Sequence, residues 1–184
     1  MRVVGGRLKG RTLASPSSRN IRPTADRLRE SLFNILVHAY GDPIQGARVL
    51  DLFAGTGALG IEAISRGAAF ALFVDNGAEA RALLRNNIEA LGLGGVTKVF
   101  RRDAADLGPA HPVEPFSLVL LDPPYAKKLA EKALESLRDG KWLTPDAILV
   151  VEEAKAAGFE VPEGFKELER RAYDDTALVF LRAR

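Results

Sequence analysis

Along most of this chain, short unbroken apolar runs alternate with segments whose apolar residues recur every three or four positions. The runs predict five β-strands, at residues 48–52, 69–74, 98–101, 116–121 and 147–151. The intervening segments predict helices at residues 58–66, 78–91 and 128–137. Strands buried on both faces are apolar throughout, and alternating strands and helices form parallel sheets. The pattern therefore predicts a right-handed, doubly wound α/β sheet.

The two ends of the chain depart from this alternation. Residues 166–173 and 176–183 flank Asp174-Asp175 and predict an antiparallel hairpin at the edge of the sheet. Ahead of the first sheet strand, a helix is predicted from Thr24 to about Tyr40, with Thr24 as its N-cap.

Residues 1–23 form a polar, glycine- and proline-containing arm in which residues 2–4 and 11–13 predict the short strands of a hairpin. We expect this arm to pack on the domain formed by residues 24–184, because it has too few apolar residues for a core of its own.

Composition narrows the class of protein. The chain has 184 residues, of which 47% are hydrophobic and 27% are charged, as expected for one globular domain. No apolar run approaches the ~18 residues of a membrane span. The start of the sequence lacks the apolar stretch of a signal peptide, so a cytoplasmic location is expected. With no cysteine and only two histidines, disulfides and thiolate metal sites are excluded and a histidine-built metal site is not expected.

Charge is distributed unevenly between the arm and the rest of the chain. Residues 1–30 contain eight basic and two acidic side chains, a net charge of +6. The remaining residues contain 18 basic and 22 acidic side chains, a net charge of −4. An arginine-rich segment on a mildly acidic body predicts a contact with a phosphate backbone. A solvated basic arm without a partner is the alternative.

Residues 49–60 combine an apolar strand, a carboxylate and a glycine loop that leads into a helix. Glycine adopts positive φ and has no side chain, so such a loop can press its backbone, and the first N–H groups of the helix, on a ligand. Residues 55–60 match the G-x-G-x-x-G dinucleotide fingerprint, but Asp51 would repel a pyrophosphate. It suits a ligand with a positive end, such as the amino group and sulfonium of S-adenosylmethionine. A tight turn without a ligand is the alternative.

Acidic residues stand at the ends of four predicted strands: Asp51, Asp75, Asp103 and Asp122. Ligands of a doubly wound sheet bind beyond the carboxyl ends of its strands, so these acids are expected on one rim. Asp75 is suited to accept hydrogen bonds from both ribose hydroxyls of an adenosine. Asp103 is expected to accept one from the adenine amino group, with Asp106 or a backbone amide as alternatives.

The tetrapeptide Asp122-Pro123-Pro124-Tyr125 follows the fourth strand. Its two prolines fix φ, remove two N–H donors and leave carbonyls free to accept. Asp122 and the Pro123 carbonyl can accept the two N–H bonds of an exocyclic amine, while Tyr125 stacks on its ring. The tetrapeptide therefore predicts a site for a planar aromatic amine. A rigid loop with a core tyrosine is the alternative.

These motifs together resemble the amino-methyltransferases that use S-adenosylmethionine. The resemblance extends to residues 2–11, 22–34 and 51–60, which look like the RsmD family of small-subunit (16S) ribosomal RNA guanine-N2 methyltransferases. It covers most of the chain from Arg2 to about Tyr125, and the Arg-Pro-Thr segment is its most specific part. The glycine loop and the Pro-Pro motif are shared by many methyltransferases.

This resemblance implies a Rossmann-like class I S-adenosylmethionine-dependent methyltransferase, with a mostly parallel seven-stranded sheet, an antiparallel C-terminal hairpin and a small basic N-terminal extension. It implies a cytoplasmic enzyme that uses no metal and acts on a guanine of 16S ribosomal RNA in assembled or assembling small-subunit particles. A monomer is favoured, and no membrane is involved.

The candidate site residues fall into three groups. The methyl donor is expected to contact Asp51, Phe53, Ala54, Gly55, Thr56, Gly57, Asp75, Asn76, Asp103 and Ala104. The target base is expected to contact Asp122, Pro123, Pro124 and Tyr125. RNA phosphates are expected to contact Arg7, Lys9, Arg11, Arg22 and Arg27.

Three other functions remain open. An adenine-N6 methyltransferase would also use the tetrapeptide, because that motif suits any aromatic amine. A nicotinamide-dependent dehydrogenase would use the glycine fingerprint but leaves the tetrapeptide unexplained. A non-catalytic RNA-binding assembly factor would use only the basic arm.

Overall fold

The computed structural model describes residues 1–16, 23–124 and 128–184. Four helices are present in these ranges: α1 (Pro23–Ala39), α2 (Ala58–Ser65), α3 (Ala78–Ala90) and α4 (Leu129–Asp139). The seven strands are β1 (Arg48–Leu52), β2 (Phe70–Val74), β3 (Thr97–Phe100), β4 (Phe116–Leu121), β5 (Leu143–Ala154), β6 (Phe165–Tyr173) and β7 (Thr176–Ala183). Short 3₁₀ turns occur at Gly94–Val96 and Lys155–Ala157.

The strands form one sheet in the order β3-β2-β1-β4-β5-β7-β6. Strands β1 to β5 pair in parallel, and β7 pairs antiparallel with both β5 and β6. The prediction of a doubly wound sheet that ends in an antiparallel hairpin is therefore confirmed. The order of the strands reverses between β1 and β4, which is the point where open α/β sheets leave a crevice for a ligand.

A hydrophobic core covers each face of the sheet. Alternation along β1 sends Val49 to one cluster, with Phe33 of α1 and Leu84 of α3. Leu50 faces the other cluster, which contains Trp142 together with residues of α4. Because both faces are covered, the central strands are apolar at nearly every position, as the sequence pattern predicted.

The structure differs from the predicted elements in three places. Helix α1 begins at Pro23, so Thr24 lies in its first turn and is not its N-cap. Strand β5 is much longer than residues 147–151, because its C-terminal end continues to pair with β7 as far as Ala154 and Thr176. Its N-terminal end starts at Leu143, ahead of a register shift relative to β4. In the arm, the two predicted segments do pair antiparallel, through a bridge between Arg2 and Thr12 and backbone hydrogen bonds from Val3 N to the Arg11 carbonyl and from Leu13 N to the Met1 carbonyl, but the pairing is too short to form regular strands.

The arm packs on helices α2 and α3. Its apolar residues Val3, Leu8 and Leu13 are buried in the core cluster of the first face. These apolar side chains of the arm therefore belong to the core of the domain. Among the described residues, no helix is both long enough and apolar enough to cross a membrane.

Candidate active site

The loop between β1 and α2 turns sharply because several of its residues adopt positive φ. Gly57, the N-cap of α2, has a φ of 84°, and Gly55 has a φ of 57°. A Cβ at Gly57 would lie 2.3 Å from Leu84, whereas a Cβ at Gly55 would meet no atom within 4 Å. Gly57 is therefore needed for packing beneath the loop, and Gly55 faces open space.

Asp51 lies inside β1 rather than beyond its end, and only 1% of its surface is exposed. One carboxylate oxygen accepts a hydrogen bond of 2.9 Å from Gly60 N, at the start of α2. Burial, together with the negative charge of Asp75, raises the pKa of Asp51 to about 8, although the bond from Gly60 opposes this. The protein thus keeps a carboxyl group under the glycine loop without a cation beside it among the contacts described.

Asp75 follows β2 and ties the glycine loop to the next loop along the rim. Its two carboxylate oxygens accept hydrogen bonds of 2.9 Å from Gly55 N and 2.8 Å from Gly77 N. Each oxygen still has a lone pair, because a carboxylate offers about four acceptor sites. Asp75 can therefore hold the loop and accept from ligand hydroxyls at the same time.

A cavity of about 180 Å³ lies at the carboxyl ends of β1, β4 and β5 and extends towards α1. Three carboxyl groups line it, from Asp51, Asp122 and Glu152. The other lining residues are Met1, Leu28, Arg29, Leu32, Phe53, Ala54, Gly55, Thr56, Ala58 and Leu59. The cavity therefore combines the glycine loop, an apolar wall from α1 and a concentration of acceptor groups.

Sheet register brings Asp122 and Glu152 side by side. Leu121 of β4 pairs with Val151 of β5, so the next residue of each strand enters the cavity at the same level. The two carboxyl groups therefore lie close together at the cavity wall. Asp122 keeps accessible surface towards the cavity, but the enclosing protein, followed by the charge of Glu152, raises its pKa well above the usual range.

The structure brings together only part of the predicted donor site. Asp51, Phe53, Ala54, Gly55 and Thr56 line the cavity with Asp122. Gly57 and Asp75 support the loop from behind. The cavity wall, as far as the described residues define it, does not include Asn76, Asp103 or Ala104. Asn76 and Asp103 are exposed, and Ala104 is buried in the core of the second sheet face.

The described part of the predicted base-binding tetrapeptide, residues 122–124, follows β4, and Asp122 lines the same cavity. Pro123 is buried and Pro124 is exposed. Because each proline ring fixes its own φ, the two residues restrict the backbone next to Asp122. Tyr125 lies outside the described residues. Glu152 was missed by the sequence reasoning, although it follows the apolar run of β5 just as Asp122 follows that of β4. The rule used for the other strand ends would have identified it.

A buried glutamate holds the arm against the domain. Glu62 of α2 has no exposed surface, and it accepts hydrogen bonds of 3.0 Å from Val4 N and 2.8 Å from Gly5 N. It also forms ion pairs with Arg29 and Arg66. Arg29, which lines the cavity, has further bonds to Asp26 and to the Arg2 carbonyl. The arm is thus connected to the cavity wall through one ionic network.

A second link runs from the arm to the glycine loop. The Asn87 side chain of α3 accepts a bond of 2.7 Å from Ala14 N and donates to the carbonyls of Ala14 and Thr56. Of the basic residues predicted to contact RNA, Arg7, Lys9, Arg11 and Arg27 are exposed, and Arg22 lies outside the described residues. The arm therefore presents exposed cations from a fixed position on α2 and α3.

A larger, more open depression of about 370 Å³ lies between residues 105–109 and α4. Apart from Asp106, the alternative adenine contact, it contains none of the predicted site residues. Among the described residues, no group of three or more histidine, aspartate or glutamate side chains is arranged to hold a metal ion. Of these two cavities, the smaller one therefore contains the carboxyl groups of Asp51, Asp122 and Glu152.

Sheet order, crevice position and glycine loop define the fold of the S-adenosylmethionine-dependent methyltransferases. The solved structure of the Escherichia coli protein yhhF is 32% identical and superposes with a TM-score of 0.82, covering 100% of this chain and 98% of that one. SMU.776, solved in complex with SAH, shares the fold at 18% identity with a TM-score of 0.61, covering 89% of this chain and 50% of its own.

The chain belongs to the RsmD family, since residues 1–182 match the family described as "Conserved hypothetical protein 95". Ribosomal RNA small subunit methyltransferase D of Escherichia coli K12 is 38% identical over 152 residues, which cover 83% of this chain and 74% of that protein. The resemblance recognised in the sequence motifs is thereby confirmed.

Proposed function

We propose that this protein transfers a methyl group from S-adenosylmethionine to the exocyclic N2 amino group of a guanine in small-subunit (16S) ribosomal RNA. The observation that carries the proposal is the cavity itself, where Asp122 meets the glycine loop at the point of strand reversal. The methyltransferase D relatives support RNA of the small subunit as the substrate class.

The cavity fits the methyl donor chemically. Gly55 faces open space, so the backbone of the loop is accessible to a ligand. The carboxyl groups of Asp51, Asp122 and Glu152 face the same space, and they suit a ligand with a sulfonium and an amino group. Asp75 would accept from ribose hydroxyls at the lip of the loop. Contacts of Asn76, Asp103 and Ala104 with the adenine are proposed farther along the same rim.

The residues around Asp122 would hold and orient the amine. S-adenosylmethionine supplies an electrophilic methyl group, whose carbon–sulfur bond breaks as the amine lone pair forms the new carbon–nitrogen bond. Asp122 and the Pro123 carbonyl accept the two N–H bonds, which makes the nitrogen more tetrahedral and its lone pair more available. Tyr125 would stack on the base. After transfer the nitrogen is positively charged and acidic, and its proton leaves to solvent or to a nearby carboxylate.

The base must leave its stack to reach this cavity, as in other enzymes that modify bases. Arg7, Lys9, Arg11, Arg22 and Arg27 are proposed to bind the flanking phosphates. The proposed setting is the cytoplasm, the proposed substrate is a small-subunit particle, and the proposed state of the protein is a monomer.

The direct test uses labelled S-adenosylmethionine and ribosomal particles from cells that lack the enzyme. We expect the wild-type protein to label one guanine, identified by mass spectrometry, and Asp122→Asn to be about 100-fold slower or worse, because one acceptor becomes a donor. The exposed Asp139 of α4 gives the matched control, and Asp139→Asn should retain full activity. Equal labelling by wild type and Asp122→Asn would contradict the role assigned to the tetrapeptide.

Calorimetry and analysis of the modified base separate the other functions. Binding of S-adenosylmethionine without binding of NAD excludes the dehydrogenase. RNA binding with no modified base would indicate an assembly factor, and a methylated adenine would indicate an adenine-N6 enzyme.

A further inference from the structure

Glu152 lies beside Asp122 in the described lining of the cavity, but the function proposed above assigns it no contact with the target base. It follows Val151 on β5 and is only partly buried, and its side chain lines the same cavity as Asp122. Parallel pairing of Leu121 with Val151 fixes the two acids next to each other across adjacent strands. Their relative position is therefore set by the sheet rather than by a flexible loop.

Two adjacent carboxyl groups need donors between them. Arg29 lines the cavity, but its described bonds go to Glu62, Asp26 and the Arg2 carbonyl. The enclosing protein and the nearby charge of Glu152 raise the pKa of Asp122 well above its usual range. A ligand that brings two neighbouring N–H donors would satisfy both carboxylates.

Guanine offers such an edge, whereas adenine does not. On the edge that carries the exocyclic amine, guanine has the N2 amino group next to N1–H, so two donors lie side by side. Adenine has its amino group next to an unprotonated N1, which is an acceptor. An ionised carboxylate facing that acceptor would be left unpaired and repelled.

We propose, on the basis of the function proposed above, that Glu152 accepts the N1–H of the target guanine while Asp122 accepts from its N2 amino group. Glu152 is then the residue that selects guanine over bases with an acceptor at N1. It is a specificity-determining residue, whereas Asp122 orients the reacting nitrogen.

The neighbouring Glu153 provides a matched control. It also lies on β5, is 6% exposed, and accepts a bond of 3.0 Å from the N–H of Ala154. It is not among the residues that line the cavity in the described chain. A Glu153→Gln substitution therefore changes the same charge, one position away, without changing the acceptor that faces the base.

The experiment compares guanine with 2-aminopurine at the mapped target nucleotide. 2-Aminopurine keeps the 2-amino group but has an acceptor at N1, and it is introduced by ligating a synthetic RNA fragment before particle assembly. We expect wild type and Glu153→Gln to prefer guanine by about 100-fold or more in kcat/KM, because a site built for a donor rejects an acceptor. In Glu152→Gln the amide can donate to N1, so the preference should shrink at least tenfold.

The ratio is measured within each variant, so a partly unfolded preparation does not change it. If the wild-type protein is active and the guanine preference of Glu152→Gln is within threefold of the wild-type preference, the role of Glu152 is overturned. The methyltransferase proposal is then left intact. A wild-type protein that labels no guanine overturns the proposed function instead. If Glu152→Gln is inactive on both bases, Glu152→Asp decides, because retained guanine preference supports the proposal and its loss contradicts it.

Discussion

At the scale of single residues, the site is a set of carboxyl groups held in places where their charge is costly. Asp51 is almost completely buried, and the enclosing protein together with the charge of Glu152 raises the pKa of Asp122. Removing an ionised carboxylate from water without a partner is strongly unfavourable. Perturbed carboxyl groups in one cavity are typical of functional sites, because the missing partner is often the ligand.

The raised pKa of Asp51 predicts how stability depends on pH. Because its folded-state pKa is about 8 and the ordinary pKa of an aspartate is 3.8, the folded protein binds an extra proton between these values. The contribution of Asp51 to stability is therefore fully present below pH 3.8 and is lost as the pH rises through about 8. Asp51→Asn cannot ionise, so in urea unfolding between pH 5 and pH 9 its stability should rise relative to wild type as the pH increases.

Wild type and Asp51→Asn are both measured without ligand, and all their other titrating groups are the same. The contributions of those groups therefore cancel in the difference in stability. A difference in stability that stays constant over this range would show that Asp51 is already ionised in the folded state.

At the scale of secondary-structure elements, the strands were predictable and the contacts between elements were not. Apolar runs determine where β1 and β4 lie, and parallel pairing then places the residues that follow them on one rim. Asp51 and Asp122 could therefore be assigned to one site from sequence. Asp103 could not be placed reliably, because two residues separate β3 from it and Asp103 lies outside the described cavity wall.

The arm shows the same limit more clearly. Its strand-like residues predicted the antiparallel pairing that joins Arg2 to Thr12, but they did not predict that the backbone N–H groups of Val4 and Gly5 bond to Glu62, which is 57 or more positions away in the sequence. Local pattern contains no information about such a partner. A glutamate on an otherwise apolar helix was the available signal, because a buried acid requires donors from elsewhere.

Substitution of Glu62 tests whether this residue docks the arm. Glu62→Gln keeps the shape but places an amide donor among N–H donors, and it removes the charge facing Arg29 and Arg66. We expect a loss of about 3 kcal/mol in urea unfolding, as for other broken buried ion pairs. Hydrogen exchange of the Val4 and Gly5 amides should also become faster.

The control is the exposed Glu89 of α3, where Glu89→Gln should change stability by less than ~0.5 kcal/mol. Unchanged protection of the arm amides in Glu62→Gln would show that the arm is held by its apolar contacts alone.

At the scale of the whole molecule, charge is separated between the cavity and its surroundings. The cavity is rich in carboxyl groups, whereas the docked arm presents exposed Arg7, Lys9 and Arg11. A cationic methyl donor and an anionic RNA backbone thus meet regions of opposite charge. Because the arm is fixed by Glu62 and Asn87, its cations can position an RNA strand relative to the cavity as well as attract it.

The dependence of RNA binding on salt tests this division of roles. Each phosphate contact that is lost should reduce the slope of log affinity against log salt by about 0.7 to 0.9. The double variant Arg7→Gln, Lys9→Gln should therefore lower the slope by about 1.5, measured by RNA binding between 50 and 300 mM salt, roughly the range where such effects are large. Its kcat at saturating RNA should stay close to wild type, because neither side chain lines the cavity described.

The matched control removes the same two charges from the opposite edge of the sheet, with Lys166→Gln and Arg171→Gln on β6. Both residues are exposed, and β6 is separated from β1 by β4, β5 and β7. If attraction depended on net charge alone, both double variants would lose affinity equally and neither slope would change more than the other. A lower slope in the arm variant only would instead place the RNA phosphates along the arm, because counterions are released where phosphate and cation are in contact.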